Sequence, residues 1–169
     1  MTVKKVIVDG YNLIYAHPEL GERVRTDARR AREILITILA EYVRARKVKV
    51  TLVFDSRLSR AAPVISLPPR LEVVFSRSGL SADELIVKMM ESERQPRSMT
   101  VVSSDYKDIG RVAKSLGIQV LPAQSFWREI LKEKKRGEKK GEKPTSVSEK
   151  EVEYWLEEFE GRGGPSENG

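Results

Sequence analysis

The 169-residue chain has no cysteine and a single histidine, His17. Without thiols there is no disulfide framework, no thiolate metal centre and no cysteine nucleophile. One imidazole also excludes a histidine-rich metal site and HExxH chemistry. Long hydrophobic runs are absent too: no stretch approaches the roughly 20 apolar residues of a membrane span. Asp9 and Asn12 interrupt the N-terminal segment too early for a secretory signal. The expectation is a soluble, cytoplasmic chain with no membrane partner. Aromatic residues are few, at 7%, whereas 40% of residues are hydrophobic and 33% charged. A chain of this size buries roughly 70% of its unfolded surface and needs no staple.

The net charge is +6, unevenly distributed. Residues 1–131 hold 22 Lys and Arg against 15 Asp and Glu, whereas residues 132–169 hold 9 against 10. The basic excess therefore belongs to the globular part. Such a surface suits a polyanion, because contacts from Lys and Arg to phosphate supply most non-specific affinity. It is equally compatible with an ordinary solvated surface.

Strand and helix patterns alternate along the chain. Val6-Ile7-Val8 reads as a buried strand ending in Asp9-Gly10, and Val50 to Phe54 as a second ending in Asp55. Leu71 to Phe75, Met99 to Val102 and Ile118 to Leu121 complete five strands. Apolar residues at helical spacing mark a helix from Asp27 to about Arg46. Ser81-Ala82-Asp83-Glu84 is a capping box opening another. A short helix closes at Gly117, and a last core helix runs from Ser125 to about Lys132. This alternation predicts an α/β fold with a mostly parallel sheet. Residues 132–148, rich in Lys, Glu and Gly, read as a charged linker or a frayed extension of that helix. Residues 149–160 carry Val152, Trp155, Leu156 and Phe159 on one face of an amphipathic helix, and residues 161–169 read as a disordered tail.

Three strands end in aspartate: Asp9, Asp55 and Asp105. Asp83 lies in the first turn of a helix, and Asp108 one turn beyond Asp105. In an open parallel sheet, functional sites gather at the carboxyl ends of the strands. Carboxylates brought together there cannot all stay ionised without a counter-cation. An oxygen-only donor set points to Mg²⁺ or Mn²⁺ rather than zinc. Each acid also has a structural role open to it, as turn former, N-cap or first-turn helix acid.

Val8-Asp9-Gly10-Tyr11-Asn12-Leu13-Ile14, Val53-Phe54-Asp55, Ser81-Ala82-Asp83 and Val102-Ser103-Ser104-Asp105 occur in an order that resembles the NYN domain family, in its bacterial YacP-like subgroup, among the PIN-like metal-dependent ribonucleases. The resemblance spans residues 3 to about 131. It implies a three-layer α/β/α fold, with the C-terminal stretch as a charged helical extension. It also implies an endoribonuclease that hydrolyses RNA with Mg²⁺ or Mn²⁺, with mRNA as the foremost substrate and the ribosome as a partner. Carried over to this sequence, Asp9, Asn12, Asp83 and Asp105 are the expected catalytic set. Asp9, Asp83 and Asp105 would be metal ligands, Asp55 an adjacent ligand or outer acid, and Asp108 a contributor. Asn12 would fix the pocket through its side-chain amide or a metal-bound water. Two segments depart from the subgroup pattern. The stretch after Asp55 lacks a glycine-rich loop, and the extension from Lys132 is longer and more charged.

An anionic substrate approaching an acidic pocket needs cations beside it. Arg23, Arg25, Arg29 and Arg32 are the first candidates, with Arg57, Arg60 and Lys107 next. Tyr11 either stacks on a base or packs beneath its loop. His17, beside Pro18, reads as an exposed loop residue. The 149–160 helix could dock back on the domain, self-associate or bind another protein. Three other readings compete. A phosphoacceptor receiver domain lacks its paired acids and its lysine here. A non-catalytic RNA- or ribosome-binding module would keep the fold without turnover. A structure-specific DNA nuclease shares the chemistry, but the sequence lacks its helical-arch and helix-hairpin-helix additions.

Overall fold

Val6 and Val8 point to one side of their strand and Ile7 to the other, and all three are buried. A strand apolar on both faces belongs in the middle of a sheet covered on both sides. In a computed structural model, which describes residues 3–56, 67–77 and 79–140, strand β1 (Lys4–Asp9) takes that place. Strands β2 (Val48–Phe54), β3 (Leu71–Phe75), β4 (Met99–Val102) and β5 (Gln119–Leu121) complete a sheet of order β3-β2-β1-β4-β5. Every pairing is parallel, with Val8 opposite Leu52 on one side and Val102 on the other.

Parallel neighbours require crossovers, and five of the six α-helices among the described residues lie in such connections while the sixth follows the last strand. Helices α1 (Gly10–Tyr15), α2 (Pro18–Thr26), α3 (Ala28–Ala45) and α6 (Ala123–Lys139) bury Val6, Val8, Val50, Leu52 and Phe54 on one face. Helices α4 (Ala82–Glu91) and α5 (Ile109–Leu116) cover Ile7, Val53, Met99 and Val101 on the other. The result is the expected three-layer α/β/α arrangement. Ser81 opens α4 through a complete capping box with Glu84. Gly117 ends α5 with φ of 74°, a left-handed conformation natural to glycine.

The structure departs from the sequence expectation at three places. His17 is fully buried rather than an exposed loop residue. Its Nδ1 accepts the Leu20 amide at 3.2 Å, making it the N-cap of α2, with Pro18 at the first helical position. Residues read as a loop are therefore two helices, α1 and α2. Helix α6 continues to Lys139, through the first eight residues of the stretch read as linker. Lys, Glu and Arg favour helix, and the Glu133–Arg136 and Lys134–Glu138 pairs follow helical spacing, at 3.6 and 3.9 Å. Residues 149–169, with the amphipathic segment expected there, lie outside the described residues. Among the described residues, no helix is long and apolar enough to cross a membrane.

Trp127 locks α6 onto α1. Its ring is fully buried with its edge against His17, and its indole N–H donates to the Leu13 carbonyl at 2.8 Å. That carbonyl lies in the last turn of a six-residue helix, where backbone acceptors lack intrahelical donors. Trp127→Phe removes both the donor and part of the ring. It is expected to lower unfolding free energy by about 2–4 kcal/mol, measured by urea unfolding followed by far-UV circular dichroism.

Candidate active site

The chain runs from β1 outward through β2 to β3, then crosses back to β4 and β5 on the other side of β1. The carboxyl ends of β1 and β4 therefore flank a topological switch point, where open α/β sheets form their ligand crevices. Asp9 is the last residue of β1, and Asp105 follows β4 by three residues. Helix α4 passes over β1 and β2 with Asp83 in its first turn.

Asp9 also caps α1, its Oδ1 accepting the Asn12 amide at 3.3 Å. Asn12 in turn accepts the Ser104 amide on its Oδ1 at 2.9 Å, tying the ends of β1 and β4 together. The side chain of Asn12 therefore bonds to backbone at the site's edge. Gly10 has a steric reason: a Cβ there would overlap the ring of Phe54, which is fully buried. Tyr11 is buried, packs edge-on against Phe54 at 5.1 Å and accepts a hydrogen bond from Arg32. Tyr11 is therefore a packed residue of α1, not a loop aromatic, and offers no face to a base.

The acids converge electrostatically. Burial, chiefly, pushes the Asp9 carboxyl up from 3.8 to about 6; its bond from the Asn12 amide opposes this, and neighbouring Asp83 and Asp105 add to it. Burial also raises Asp83, with Asp105, Asp108 and Asp55 contributing and a hydrogen bond from Asp9 working the other way. Asp9 and Asp83 are thus electrostatically coupled, and Asp105, Asp108 and Asp55 add to the negative field at Asp83. Asp105 is held in its turn by the Lys107 and Asp108 amides, both donating to Oδ1, at 3.1 and 3.3 Å. Its own amide donates to Ser103 Oγ at 3.0 Å. Both the Lys107 and the Asp108 amide bond to Oδ1 rather than Oδ2 of Asp105. Asp108 is exposed at the start of α5 and makes no side-chain capping bond. The donor set, all carboxylate with surplus negative charge, is chemically suited to a hard divalent cation. Among the described residues, no three of these groups stand close enough together to hold an ion jointly.

The basic candidates are scattered. Arg23 and Arg25 are exposed on α2, and Lys107 is exposed beside Asp105. Arg29 is paired with Glu33 at 3.1 Å. Arg32 is a correction: it is 4% exposed and donates to Tyr11 at 3.1 Å, so it braces α1 from inside rather than meeting RNA. Arg57 and Arg60 lie outside the described residues. Sequence reasoning missed the service of Ser103 and Ser104, which position Asp105 and Asn12. Their signal was adjacency to the acid in Ser103-Ser104-Asp105.

Residues 6–160 match the YacP-like NYN domain family, a span that includes the charged stretch beyond residue 131. A Bacillus subtilis (strain 168) relative, "Uncharacterized protein YacP", is 30% identical over 142 residues, covering 83% of each chain. The crystal structure of Rae1 (YacP) from Bacillus subtilis superposes with a TM-score of 0.71 at 28% identity, covering 96% of this chain and 92% of that one. A tryptophan-to-leucine mutant of the same Bacillus subtilis protein superposes at 0.67 with 26% identity, covering 94% and 99%.

The raised Asp9 pKa makes its ionised form costly to the fold. Below pH 4 the group is protonated in both folded and unfolded chains and contributes nothing. As pH rises from about 4 to about 6, the unfolded chain ionises more readily, so folding stability falls, by about 3 kcal/mol in all. Asp9→Asn keeps the cap acceptor and removes the charge. In EDTA it should be more stable than the unaltered chain at pH 8, by about 2–3 kcal/mol, with the gain vanishing near pH 4. Thermal melts across that range check it.

Proposed function

Because this chain belongs to the YacP-like NYN domain family, whose PIN-like fold is a nuclease fold, we propose that it is a metal-dependent endoribonuclease hydrolysing RNA phosphodiester bonds. The observation that carries this reading is the gathering of Asp9, Asp83, Asp105, Asp108 and Asp55 at the carboxyl ends of the strands, where burial first and the neighbouring carboxylates second push Asp9 and Asp83 upward. A structural turn or cap does not call for that accumulation of charge. A chain without cysteine, and with its one histidine buried in the core, has few other groups for hydrolytic chemistry.

We assign the cation, Mg²⁺ or Mn²⁺, to Asp9, Asp83 and Asp105, with Asp55 and Asp108 as outer acids; these side chains do not reach one ion jointly as they stand, so loading would require them to close on it. When bound, it supplies charge neutralisation at the phosphoryl oxygens and acidifies an attacking water. The protein's own part is positional. Asn12 holds the Ser104 backbone and so fixes the gap between the β1 and β4 ends. The Asp9–Asp83 pair must give up its proton for loading, so affinity for the cation rises with pH through about 6. The two amides on Asp105 Oδ1 restrain its carboxylate. Lys107, exposed near Asp105, and the exposed Arg25 are sequence-expected cations placed to meet phosphates. The family likeness to the Bacillus subtilis proteins supports RNA as substrate, and we extend the proposal to mRNA at the ribosome.

The spacing of the acids favours one second reading. Since no three described groups stand within joint reach of an ion, a non-catalytic RNA- or ribosome-binding module would also accommodate this geometry.

Labelled single-stranded RNA and DNA of the same sequence, incubated with Mn²⁺, Mg²⁺ or EDTA, separate the two. RNA should be cut with either metal and not in EDTA, and Asp83→Asn should slow cleavage by roughly two orders of magnitude or more. RNA that is retained but never cut would establish the binding module, and cleavage undiminished by Asp83→Asn would remove Asp83 from the site.

A further inference from the structure

Only Val3, Tyr15 and Tyr106 are large hydrophobic side chains left exposed among the described residues. Tyr106 is 59% exposed and sits directly after Asp105, inside the turn that presents the acid. On this basis, and resting on the nuclease reading above, we propose that Tyr106 is a stacking platform for an unpaired RNA base next to the phosphate held at the acids.

The turn gives the ring a fixed place. Bonds from the Lys107 and Asp108 amides to Asp105 Oδ1, and from the Asp105 amide to Ser103 Oγ, clamp the backbone on both sides of Tyr106. The Gly110 amide adds a bond to the Asp105 carbonyl at 3.3 Å. Gly110 also lies under the ring: a Cβ there would stand 3.6 Å from Tyr106 Cβ and 3.8 Å from Cδ1. The ring therefore leans on bare backbone in the first turn of α5, with no side chain at that position to cover it. Among the described residues its hydroxyl has no hydrogen-bond partner and its ring no aromatic neighbour. The turn would form equally well around a polar residue, so an aromatic there does nothing for the fold that its own contacts reveal.

A flat apolar face beside an anion-handling centre suits a nucleobase attached to that anion. Stacking is tolerant of base identity, because every base has a π-face. Only a base outside a duplex can offer that face, so the substrate class narrows to single-stranded RNA, with the larger purine rings favoured by contact area. Lys107, exposed at the next position, is placed for the adjoining phosphate. Tyr15, 57% exposed, provides the contrast. It ends α1, away from the acid turn, and no hydrogen bond ties its ring to any of the acids.

The test uses the full chain carrying Asp83→Asn, so that bound RNA persists in Mg²⁺, and single-stranded RNA bearing 2-aminopurine at successive positions. One position should be quenched on binding. Tyr106→Ala should abolish that quenching and weaken binding roughly ten- to hundredfold. Tyr106→Trp should retain both, and Tyr15→Ala should change neither. An abasic nucleotide at the quenched position should weaken binding to the Tyr106 protein by the same factor and leave Tyr106→Ala unaffected. Quenching and affinity unchanged in Tyr106→Ala, an equal loss in Tyr15→Ala, or equal affinity for duplex RNA would overturn the platform. Without Asp83→Asn, RNA cleavage by Tyr106→Ala at an unchanged KM rejects the platform and keeps the nuclease. Quenching that depends on Tyr106, with no cleavage by the unaltered chain, rejects the nuclease and keeps the platform. No RNA binding at all rejects both.

Discussion

A carboxylate buried at the end of a central strand, beside a second carboxylate, is an expensive arrangement in a low-dielectric interior. Asp9 and Asp83 are held in it by parts of the fold that have no other common purpose. Helix α1 leaves β1 so abruptly that only glycine fits at position 10, against Phe54. Asn12 spans from that helix to the amide of Ser104 and keeps β4 at a set distance from β1. Trp127 reaches from α6 to hold the far end of α1. Without these constraints the two acids would move apart or stay solvated, and neither would rise in pKa.

Stability and function are therefore opposed at this point. The arrangement that raises the Asp9 carboxyl to about 6 also leaves the metal-free chain strained near neutral pH. A bound cation would reverse the sign of that contribution, since it replaces a repulsion with a set of attractions. The large apolar layers on both faces of the sheet supply the surplus that tolerates the conflict. The division of labour is spatial: the strand centres are predominantly apolar, and the clustered carboxylates lie at their carboxyl ends.

Much of this was legible in the sequence because the signals were local. Strands β3 and β4 begin and end at the residues their apolar runs mark, and the capping box at Ser81 and the glycine at 117 act where their chemistry predicts. The strand-end acids could be named, because a parallel sheet sends every carboxyl end to the same edge. What escaped depended on packing. Helix α2 begins with a histidine cap and a proline, residues that look like a loop until Trp127 is placed against His17. Arg32 reads as a surface cation by its chemistry, yet it precedes Ile36 and Leu39 by four and seven residues on the buried stripe of α3. That spacing was a readable sign of its inward position. Tyr106 gave no periodic signal, since its exposure shows only once the turn around Asp105 is built.

The positions of Arg32 and Arg29 alter how an anionic substrate can be held. One is spent on Tyr11 and the other is engaged by Glu33, so the first turns of α3 do not supply an unopposed basic patch. The chain's net charge of +6 still attracts a polyanion from a distance. Within the roughly 8 Å screening length at physiological salt, however, the pocket presents carboxylates, which repel the same substrate until they are neutralised. Long-range attraction and short-range repulsion together leave RNA near the protein but not in register. Register then has to come from a contact that is indifferent to charge, and an exposed aromatic ring fixed beside the acids meets that requirement. In this arrangement cation loading and base stacking are complementary: the first makes the phosphate welcome, and the second decides which phosphate arrives.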